Sequence, residues 1–367
     1  MDRFVSVDEF QEEAFKLLPK NALDYYKSGA GRQETLRNNR SAFSKFKIRP
    51  KCLRDVSKTD LSATVLGEKV SIPVGISPSA MQRMAHPDGE CASARAAQGM
   101  GTIFILSTIA TSSIEEVAEA APEAIKWFQL YIYKDRHVTR SLVKRAEDAG
   151  FKALVLTVDT PMFGLRLADI KNKFQLPSHL KLANFQGKYA LTANKVGKNT
   201  GSAMNDLGAL FDASLTWDDI RWLKSITKLP IVLKGILTAD DAISAADAGA
   251  SAVMVSNHGA RQVDGWPASI EALPEITKAV GHRLEVYVDG GFSDGTDIFK
   301  ALGLGARMVF LGRPVLWGLA CGGEEGVKKI LTILKIEFEY ALAISGCSQI
   351  SDIKPSMVVH ESYYARL

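Results

Sequence analysis

From Ser71 onward, short apolar runs alternate with amphipathic stretches that are rich in alanine, aspartate and glutamate. Apolar runs of this length between helical patterns are typical of buried strands in a parallel sheet. Eight runs qualify as strands: residues 74–78, 102–107, 126–131, 153–159, 231–235, 252–257, 285–290 and 308–312. Eight parallel strands that are each followed by a helix predict an α/β fold, the (β/α)8 TIM barrel, whose catalytic groups lie beyond the carboxyl ends of the strands.

The whole chain, residues 1–367, is predicted to form a single domain, since barrels of this type often exceed about 250 residues. Residues 1–70 show helical periodicity and are interpreted as a helical preface, residues 71–320 as the barrel, and residues 321–367 as a closing helix and tail. A long loop after strand 4 breaks the alternation. We interpret its residues 163–213 as a flap over the barrel mouth, with a dispensable surface insertion as the alternative.

The composition limits the partners and the compartment of the protein. A net charge of +4 with scattered basic residues does not favour nucleic-acid binding. The four cysteines lie far apart without a CxxC pair, so neither a disulfide framework nor a structural metal site is predicted. There is no secretory signal and no apolar run of about 20 residues, so we expect a soluble protein without a membrane partner. The ending Ala365-Arg366-Leu367 has the form of a peroxisomal address, which predicts a peroxisomal protein that binds the import receptor.

Small and polar residues follow the predicted strands, at the end where barrels of this type carry their active sites. In strand order they are Pro78, Ser79 and Ala80; Ser107; Gln129 and Tyr131; Thr157 and Asp159; Lys234; Ser256 and His258; Asp289, Gly290 and Gly291; Gly312 and Arg313. Glycines and an arginine after strands seven and eight match the phosphate-binding corner of this fold. Because the other donors and acceptors suit a planar heteroaromatic ring, flavin mononucleotide is favoured over a simple sugar phosphate.

His258 lies just beyond the sixth strand, three residues before Arg261. A histidine can carry a proton near neutral pH and an arginine can hold a carboxylate, so this pair suits an enzyme that acts on a small acid. A lone histidine at a strand end is nevertheless more often structural. Asp159 could likewise cap the next helix, and Arg166 could be an ordinary surface charge. Lys234 could form a Schiff base, as in barrel aldolases, or place a positive charge beside a cofactor that becomes anionic.

Eight motifs recur in order across almost the whole chain: DYYKSGA, AMQRMAHPDGE, FQLYIYKDR, TVDTP, LPIVLKGI, VSNHGARQ, DGG and FLGRP. In this order they resemble the motifs of the FMN-dependent 2-hydroxy-acid oxidases, the glycolate oxidase family. The resemblance implies oxidation of (S)-2-hydroxy acids to 2-oxo acids. FMN would accept the electrons, and dioxygen would reoxidise it with release of hydrogen peroxide.

The resemblance also implies roles for the residues that contact the substrate. His258 would take a proton from the substrate as its hydride or electron pair passes to flavin N5, and Asp159 would stabilise the resulting imidazolium. Arg261 and Arg166 would clamp the substrate carboxylate, and Tyr25 would help to bind it. Tyr131 would hydrogen-bond the substrate oxygen.

The FMN contacts are carried over in the same way. Lys234 would lie near flavin N1 and the C2 carbonyl, where negative charge develops on reduction. The ring and ribityl chain would contact the backbone of Pro78, Ser79 and Ala80 and the side chains of Ser107, Gln129, Thr157 and Ser256. The ribityl chain and phosphate would contact Asp289, Gly290, Gly291, Phe292, Ser293, Gly312 and Arg313.

Three positions depart from the pattern of that family. Ile109 replaces a tryptophan that many members carry after the second strand, which predicts a wider substrate pocket. Ser293, followed by Asp294, stands where an arginine usually binds the phosphate, which predicts weaker FMN retention with Arg313 as the main phosphate partner. Leu165, before Arg166, is apolar where a polar residue is common.

Two other functions are compatible with some of these residues. A dehydrogenase of the same family would pass electrons to a haem or a quinone, but no histidine precedes His86 and no CxxCH motif occurs, so the haem version is not favoured. A Schiff-base aldolase that uses Lys234 is the alternative from a different class. Since related barrels are usually tetramers, the resemblance also implies a homotetramer.

Overall fold

The computed structural model describes residues 1, 3–185 and 207–366 of the chain. Its strands are β1 (Phe46–Ile48), β2 (Ala63–Val65), β3 (Glu68–Val70), β4 (Val74–Ile76), β5 (Ile103–Leu106), β6 (Ile125–Leu130), β7 (Ala153–Thr157), β8 (Ile231–Ile236), β9 (Ala252–Val255), β10 (Glu285–Asp289), β11 (Met308–Leu311) and β12 (Val358–His360). Strands β4 to β11 pair in parallel with their chain neighbours, and β11 pairs with β4 to close the barrel. The predicted (β/α)8 fold is confirmed.

Among the described residues, three helices precede the barrel, and from β4 onward the others alternate with the barrel strands. They are α1 (Val7–Leu17), α2 (Lys20–Lys27), α3 (Glu34–Ser41), α4 (Gly89–Gly99), α5 (Ile114–Ala120), α6 (Arg136–Asp148), α7 (Leu167–Lys171), α8 (Trp217–Ser225), α9 (Ala239–Asp247), α10 (Ser269–Val280), α11 (Gly295–Gly303) and α12 (Arg313–Ile344). Local signals set several of these starts: Ser113 and Glu116 form a capping box at α5, and Thr238 accepts from the backbone N–H of Asp241 at α9.

The barrel strands occupy the predicted runs, and most of them end one or two residues earlier than predicted. The residues between each observed strand end and the predicted end lie outside the strand pairing and form the loops of the site. Inside the barrel, large side chains such as Trp127, Tyr287 and Phe310 are fully buried in one cluster. The interior is therefore a packed core, and a ligand can be bound only beyond the ends of the strands.

The preface is helical through α3, and the remainder of residues 1–70 also contains short strands. β2 and β3 form an antiparallel hairpin whose Val65 and Val70 pack on the interior cluster of the barrel. The backbone N–H of Leu66 donates to the carboxylate of Glu285 at 3.2 Å. This hairpin covers the amino end of the barrel, so the carboxyl end is the one left for a site.

Helical backbone of α12 begins at Arg313, and its second part, after Gly323, lies in the region from residue 321 that was predicted to contain the closing helix. Pro314 in its first turn suits a helix start, because the missing N–H has no intrahelical partner there. Gly322 and Gly323 interrupt the helix, and Gly323 has a positive φ of 57°. No helix in the described part of the chain is long and apolar enough to cross a membrane.

The described parts of the predicted flap are residues 163–185 and 207–213, and residues 186–206 lie outside the described residues. Both described parts reach the carboxyl end of the barrel. Phe174 stacks on Tyr25 with 4.4 Å between ring centroids, and Phe211 stacks on Tyr131 at 4.3 Å. The long connection therefore contributes aromatic rings behind two predicted substrate contacts.

Candidate active site

A cavity of about 430 Å³ opens at the carboxyl end of the barrel. Its lining includes almost every residue that the sequence analysis assigns to the site: Tyr25, Pro78, Ser79, Ala80, Ser107, Ile109, Gln129, Tyr131, Thr157, Arg166, Lys234, His258, Arg261, Asp289, Gly290, Gly291, Phe292, Ser293, Gly312 and Arg313. Asp159 and Ser256 do not line the cavity. Each contacts a side chain that does: Asp159 is hydrogen-bonded to His258, and Ser256 to Lys234.

His258 and Asp159 form a hydrogen-bonded pair in which the histidine is the member facing the cavity. The imidazole Nδ1 lies 2.8 Å from Asp159 Oδ1, and the Thr160 hydroxyl donates to the same oxygen at 2.8 Å. An ionised carboxylate only accepts, so Nδ1 carries the proton in the neutral ring and Nε2 is free to act as a base.

The protonation of this pair depends on burial and on charge. Burial lowers the pKa of the His258 imidazole below its usual value, although Asp159 acts in the opposite direction. For Asp159, burial acts to raise the pKa, but His258 and Lys234 outweigh it and the pKa lies below its usual value. The pair is therefore poised as a neutral imidazole beside a carboxylate, the arrangement needed to accept a proton.

The loop that carries His258 has an unusual backbone. His258, Gly259 and Ala260 have φ values of 58°, 62° and 61°, so three consecutive residues lie in the left-handed region. Non-glycine residues occupy this region at a cost of about 1–2 kcal/mol each. Asn257 supports the turn, because its side-chain oxygen accepts from the backbone N–H of Ala260 at 3.0 Å.

Asn257 is itself held by Asn39 of α3 through a reciprocal pair of amide hydrogen bonds. Asn39 Nδ2 donates to Asn257 Oδ1 at 2.9 Å, and Asn257 Nδ2 donates to Asn39 Oδ1 at 2.7 Å. Both residues are almost completely buried. The preface thus fixes the loop that carries His258 from outside the barrel.

We expect Asn39→Ala to lower the free energy of unfolding by about 2–3 kcal/mol, because it removes both hydrogen bonds of the buried amide pair and leaves the Asn257 side chain only its bonds to Ala260 and Pro267. Denaturant titration of the full chain measures this loss. The matched control is Asn38→Ala on the same helix, which removes one hydrogen bond to Glu271 at a less buried site and should cost under about 1 kcal/mol. Equal losses for the two variants would contradict the role given to the amide pair.

Two guanidinium groups face His258 across the cavity. Arg261 Nη1 donates to the backbone oxygens of Tyr25 and Ser28 at 2.6 and 2.8 Å, while Arg261 Nη2 is buried without a hydrogen-bond partner in the described part of the chain. Arg166 Nε donates to the backbone oxygen of Arg261 at 3.3 Å. Burial and the nearby Arg261 lower the pKa of Arg166 to about 10. Two adjacent cations with a free buried donor form a site that an anion would stabilise.

The flap segment that carries Arg166 packs directly on the histidine loop. A Cβ at Gly164 would come within 2.4 Å of the backbone oxygen of Arg261, so only glycine allows this approach. The ring of Phe163 lies 5.3 Å from the Arg166 guanidinium and shares the cavity wall. Leu165, the apolar departure, is exposed, and its side chain is not part of this packing.

Lys234 belongs to a buried polar network on the opposite side of the cavity. Its Nζ donates to the Ser256 hydroxyl at 2.9 Å and lies 3.3 Å from Asp289 Oδ2, which also accepts from Ser77 at 2.9 Å. The Ser256 hydroxyl accepts from the backbone N–H of His258 as well, at 3.0 Å. An ammonium held by a carboxylate is a fixed positive charge, which suits an anionic partner better than nucleophilic attack.

Gln129 and Thr157 form the floor between these two sides. Gln129 Nε2 donates to Thr157 Oγ1 at 3.0 Å, and Gln129 Oε1 accepts from the backbone N–H of Thr108 at 3.0 Å. The Ser107 hydroxyl lies 3.4 Å from the same Gln129 oxygen. The orientation of the Gln129 amide is therefore fixed by its neighbours.

Within the glycine-rich corner, Gly291 has no room for a side chain. Gly291 has a φ of 88°, and a Cβ there would lie 2.0 Å from the backbone oxygen of Asn39. Asp289 Oδ1 and Ser293 Oγ are buried without partners among the described residues. Arg313 begins α12 at this corner, but its guanidinium donates to the backbone oxygens of Tyr26, Gly259 and Ser28 at 2.8, 3.0 and 2.9 Å.

The sequence analysis missed several residues of the site. Ser77 precedes Pro78 at the end of β4, and its place among the strand-end residues was a signal that could have been used. Phe163 at the start of the predicted flap carried a weaker signal. Asn39 and Arg40, which also line the cavity, belong to α3, and nothing in their local pattern indicates that α3 packs against the barrel mouth.

The arrangement can hold an anionic substrate beside a base. A carboxylate at Arg166 and Arg261 would place the rest of a small acid between these arginines and His258, below Tyr131. The fixed charge of Lys234 and the unpaired acceptor of Asp289 lie on the other side, where an electron acceptor with a polyol chain and a phosphate could bind. The site therefore suits removal of a proton from a small acid together with transfer of its electrons.

Comparisons with known proteins agree with this chemistry. Residues 14–360 match the family described as FMN-dependent dehydrogenase. The chain is 51% identical over 360 residues to 2-Hydroxyacid oxidase 1 of Homo sapiens, covering 98% of this chain and 97% of that protein. It is 53% identical over 353 residues to Glycolate oxidase 1 of Oryza sativa subsp. indica, covering 96% and 95%. The solved structure of Mandelate oxidase with (S)-4-hydroxymandelic acid superimposes with a TM-score of 0.91 at 39% identity, covering 96% of this chain and 98% of that one.

Proposed function

This chain belongs to the FMN-dependent dehydrogenase family and is an FMN-dependent oxidase of (S)-2-hydroxy acids, and we propose that His258 is the base of its reaction and that hydrogen peroxide is released. The proposal rests chiefly on one observation: His258, which is hydrogen-bonded to Asp159, lines the same cavity as Arg166 and Arg261. The base would act at the hydroxyl end of a 2-hydroxy acid, and the two arginines would bind its carboxylate end.

The cavity fits FMN. Its volume of about 430 Å³ is within the range of small-molecule sites. The buried Asp289 Oδ1, which has no partner among the described residues, could accept from a ribityl hydroxyl, and the backbone at Gly290, Gly291 and Gly312 can approach a ligand closely. Gln129 would hydrogen-bond the edge of the ring, and Lys234 would lie near its pyrimidine part. When bound, FMN supplies the acceptor for the two electrons of the substrate.

The residues of this chain would act on the substrate in a defined order. Arg166 and Arg261 would bind the carboxylate, with the free Nη2 of Arg261 as a donor. The unprotonated Nε2 of His258 would accept a proton from the substrate, and Asp159 would stabilise the imidazolium that forms. The Tyr131 hydroxyl would orient the substrate oxygen, and burial raises the pKa of this phenol above its usual value, so it remains a donor.

Ile109 would set the width of the substrate pocket. It is buried in the cavity wall at the position where many members of the resembled family carry tryptophan. We expect turnover to favour medium-chain or bulkier 2-hydroxy acids over glycolate. Ile109→Trp should lower kcat/KM for 2-hydroxyoctanoate by about 10–200-fold relative to glycolate, since one or two excluded methylenes have this effect.

Measurements of kcat/KM across a series of chain lengths test the assignment, with Ile109→Val as the control that keeps a small side chain. A steady fall in turnover from glycolate to 2-hydroxyoctanoate in the unchanged protein would contradict it. So would an Ile109→Trp variant with the same ratio between the two substrates.

Anaerobic spectroscopy tests the function as a whole. The purified protein should be yellow, lose its visible absorbance when an (S)-2-hydroxy acid is added without oxygen, and regain it in air with formation of peroxide. Bleaching without recovery in air would indicate a dehydrogenase that uses another electron acceptor. Covalent trapping of substrate on Lys234 by borohydride would instead indicate a Schiff-base aldolase, which the Lys234–Asp289 contact disfavours.

We also propose a homotetramer. Apolar side chains are exposed at Met162 and at three residues of the flap, Leu165, Leu167 and Ile170, and Val263 on the neighbouring loop is also exposed. Exposed apolar side chains grouped in this way are typical of contact surfaces between subunits. Light scattering of the purified protein measures the mass, and a monomer at micromolar concentration would contradict the assembly.

Peroxisomal localisation belongs to the same proposal, because an enzyme that forms peroxide is expected beside enzymes that remove it. The address would be Ala365-Arg366-Leu367, bound by the import receptor. Leu367 lies outside the described residues. A tagged protein should accumulate in peroxisomes and become cytosolic when these three residues are removed, and identical distributions would contradict the assignment.

A further inference from the structure

The phosphate corner of the cavity lacks a cation where the resembled family carries one. Position 293 is a serine, and its hydroxyl is buried without a partner in the described part of the chain. Asp294 caps α11 by accepting from the backbone N–H of Thr296 at 2.7 Å, so it adds a negative charge beside the corner. A phosphate dianion bound here needs a positive charge from another part of the chain.

The side chain of Arg313 is poorly placed to supply that charge. All three of its nitrogens already donate to backbone oxygens of Tyr26, Gly259 and Ser28. Burial and the nearby Arg261 and Arg166 lower the pKa of Arg313 to about 9. At the phosphate corner, its contribution is limited to the backbone at the start of α12.

Arg40, at the end of α3, lies next to position 293 in space. Its Nη1 donates to Asp297 Oδ2 at 2.6 Å, and the backbone N–H of Ser293 donates to the same oxygen at 3.2 Å. The guanidinium and residue 293 are therefore neighbours around one oxygen atom. Arg40, Gly291 and Ser293 also line the cavity together.

The Arg40 guanidinium has unused hydrogen-bond donors among the described residues. Its side chain is 49% exposed, whereas that of Asp297 is 4% exposed, and its Nε and Nη2 make no hydrogen bond to any described residue. Two free donors in a planar fork suit a phosphate, while Nη1 can remain on Asp297. Of the other nearby cations, Lys300 donates to the backbone oxygen of Phe43 and does not line the cavity.

We propose that Arg40 supplies the guanidinium that pairs with the FMN phosphate in this chain, replacing the arginine that is absent at position 293. The proposal rests on FMN binding as part of the proposed function. It assigns to α3 of the preface a direct contact with the cofactor, in addition to the support that Asn39 gives to the histidine loop.

Flavin titrations of the full-length protein test this assignment. Protein freed of flavin by dialysis against bromide is titrated with FMN and with riboflavin, which lacks the phosphate, and binding is followed by flavin fluorescence. Arg40→Ala should weaken FMN binding by about 10–100-fold and leave riboflavin binding within about twofold, since one charge-assisted contact is removed. Lys27→Ala is the matched control: Lys27 also lines the cavity but pairs with Asp24 at 3.1 Å, and it should change neither affinity.

A double variant tests whether a guanidinium at position 293 can replace the guanidinium of Arg40. Adding Ser293→Arg to Arg40→Ala should restore most of the FMN affinity without changing riboflavin affinity. Equal weakening of both flavins by Arg40→Ala would mean a structural role and would overturn the proposal. So would unchanged FMN affinity in Arg40→Ala combined with selective loss in Arg313→Ala. If the unchanged protein bound neither flavin, the proposed function itself would fail.

Discussion

Replacing His258 by glutamine is expected to lower kcat/KM for any 2-hydroxy acid by about 10³–10⁴-fold, because the variant lacks a base at the site of proton removal. Glutamine keeps a polar group that can reach Asp159, so the loop should retain its shape. The Asn39–Asn257 amide pair holds that loop independently of the histidine side chain. The loss should therefore appear in the chemical step.

Anaerobic stopped-flow reduction of the bound flavin isolates that step from the reaction with oxygen. Flavin content and visible spectrum should match those of the unchanged protein, which separates lost chemistry from lost cofactor. His137→Gln is the control, since His137 is an exposed histidine at the start of α6. A His258→Gln variant that reduces flavin within tenfold of the normal rate would rule out His258 as the base.

Asp159→Asn should lower the plateau of kcat/KM by about 10²–10³-fold and move the acid limb of the pH profile to lower pH. The plateau falls because the imidazolium that forms in the reaction loses its carboxylate partner at 2.8 Å. The direction of the pH shift follows from the forces on His258. Burial, Lys234 and Arg166 lower its pKa, and Asp159 alone among the principal influences raises it.

The direction in which the acid limb moves follows from the protonation state of His258 that the reaction needs. The reaction needs neutral His258, so kcat/KM rises with pH as this residue loses its proton and levels off above its pKa. Without the Asp159 charge the pKa falls further, and the rise occurs at lower pH. Thr160→Val is the control, because it keeps the Asp159 charge and removes a neutral hydroxyl that donates to Asp159 at 2.8 Å and lies 3.3 Å from His258 Nδ1, so it should cost less than about tenfold. An acid limb that moved to higher pH in Asp159→Asn would contradict the arrangement of charges.

Much of the candidate site could be predicted from the sequence because its residues follow strands. Once the eight runs are recognised, barrel closure brings their carboxyl ends together, whatever the details of packing. Gln129, Thr157, Lys234 and Asp289 were predicted in this way, and all line the cavity. Tyr25 and the roles of Arg166 and Arg261 came from the family resemblance, and those roles remain proposals.

Support residues were harder to predict, because a sequence does not show which side of a loop faces a ligand. Ser256 was expected beside the flavin, and it lies behind Lys234, where it accepts hydrogen bonds from that residue and from the backbone of His258. The short strands β1 to β3 in the preface were also not anticipated. Their three-residue lengths are too short to produce a periodic pattern.

The sequence by itself determined the barrel, the order of its strands and the chemistry at each strand end, since these depend on local periodicity and on residues adjacent in the chain. Tertiary structure alone decided which residues of α3 meet the site and which guanidinium groups have free donors. Asn39 and Arg40 reach the cavity because α3 packs across the barrel mouth, more than 200 positions from their partners Asn257 and Asp297. Arg313 has three of its five N–H groups on backbone oxygens, one from each guanidinium nitrogen, so its side chain is held by Tyr26, Gly259 and Ser28. Contacts between segments so far apart depend on how whole elements pack, and no local pattern encodes them.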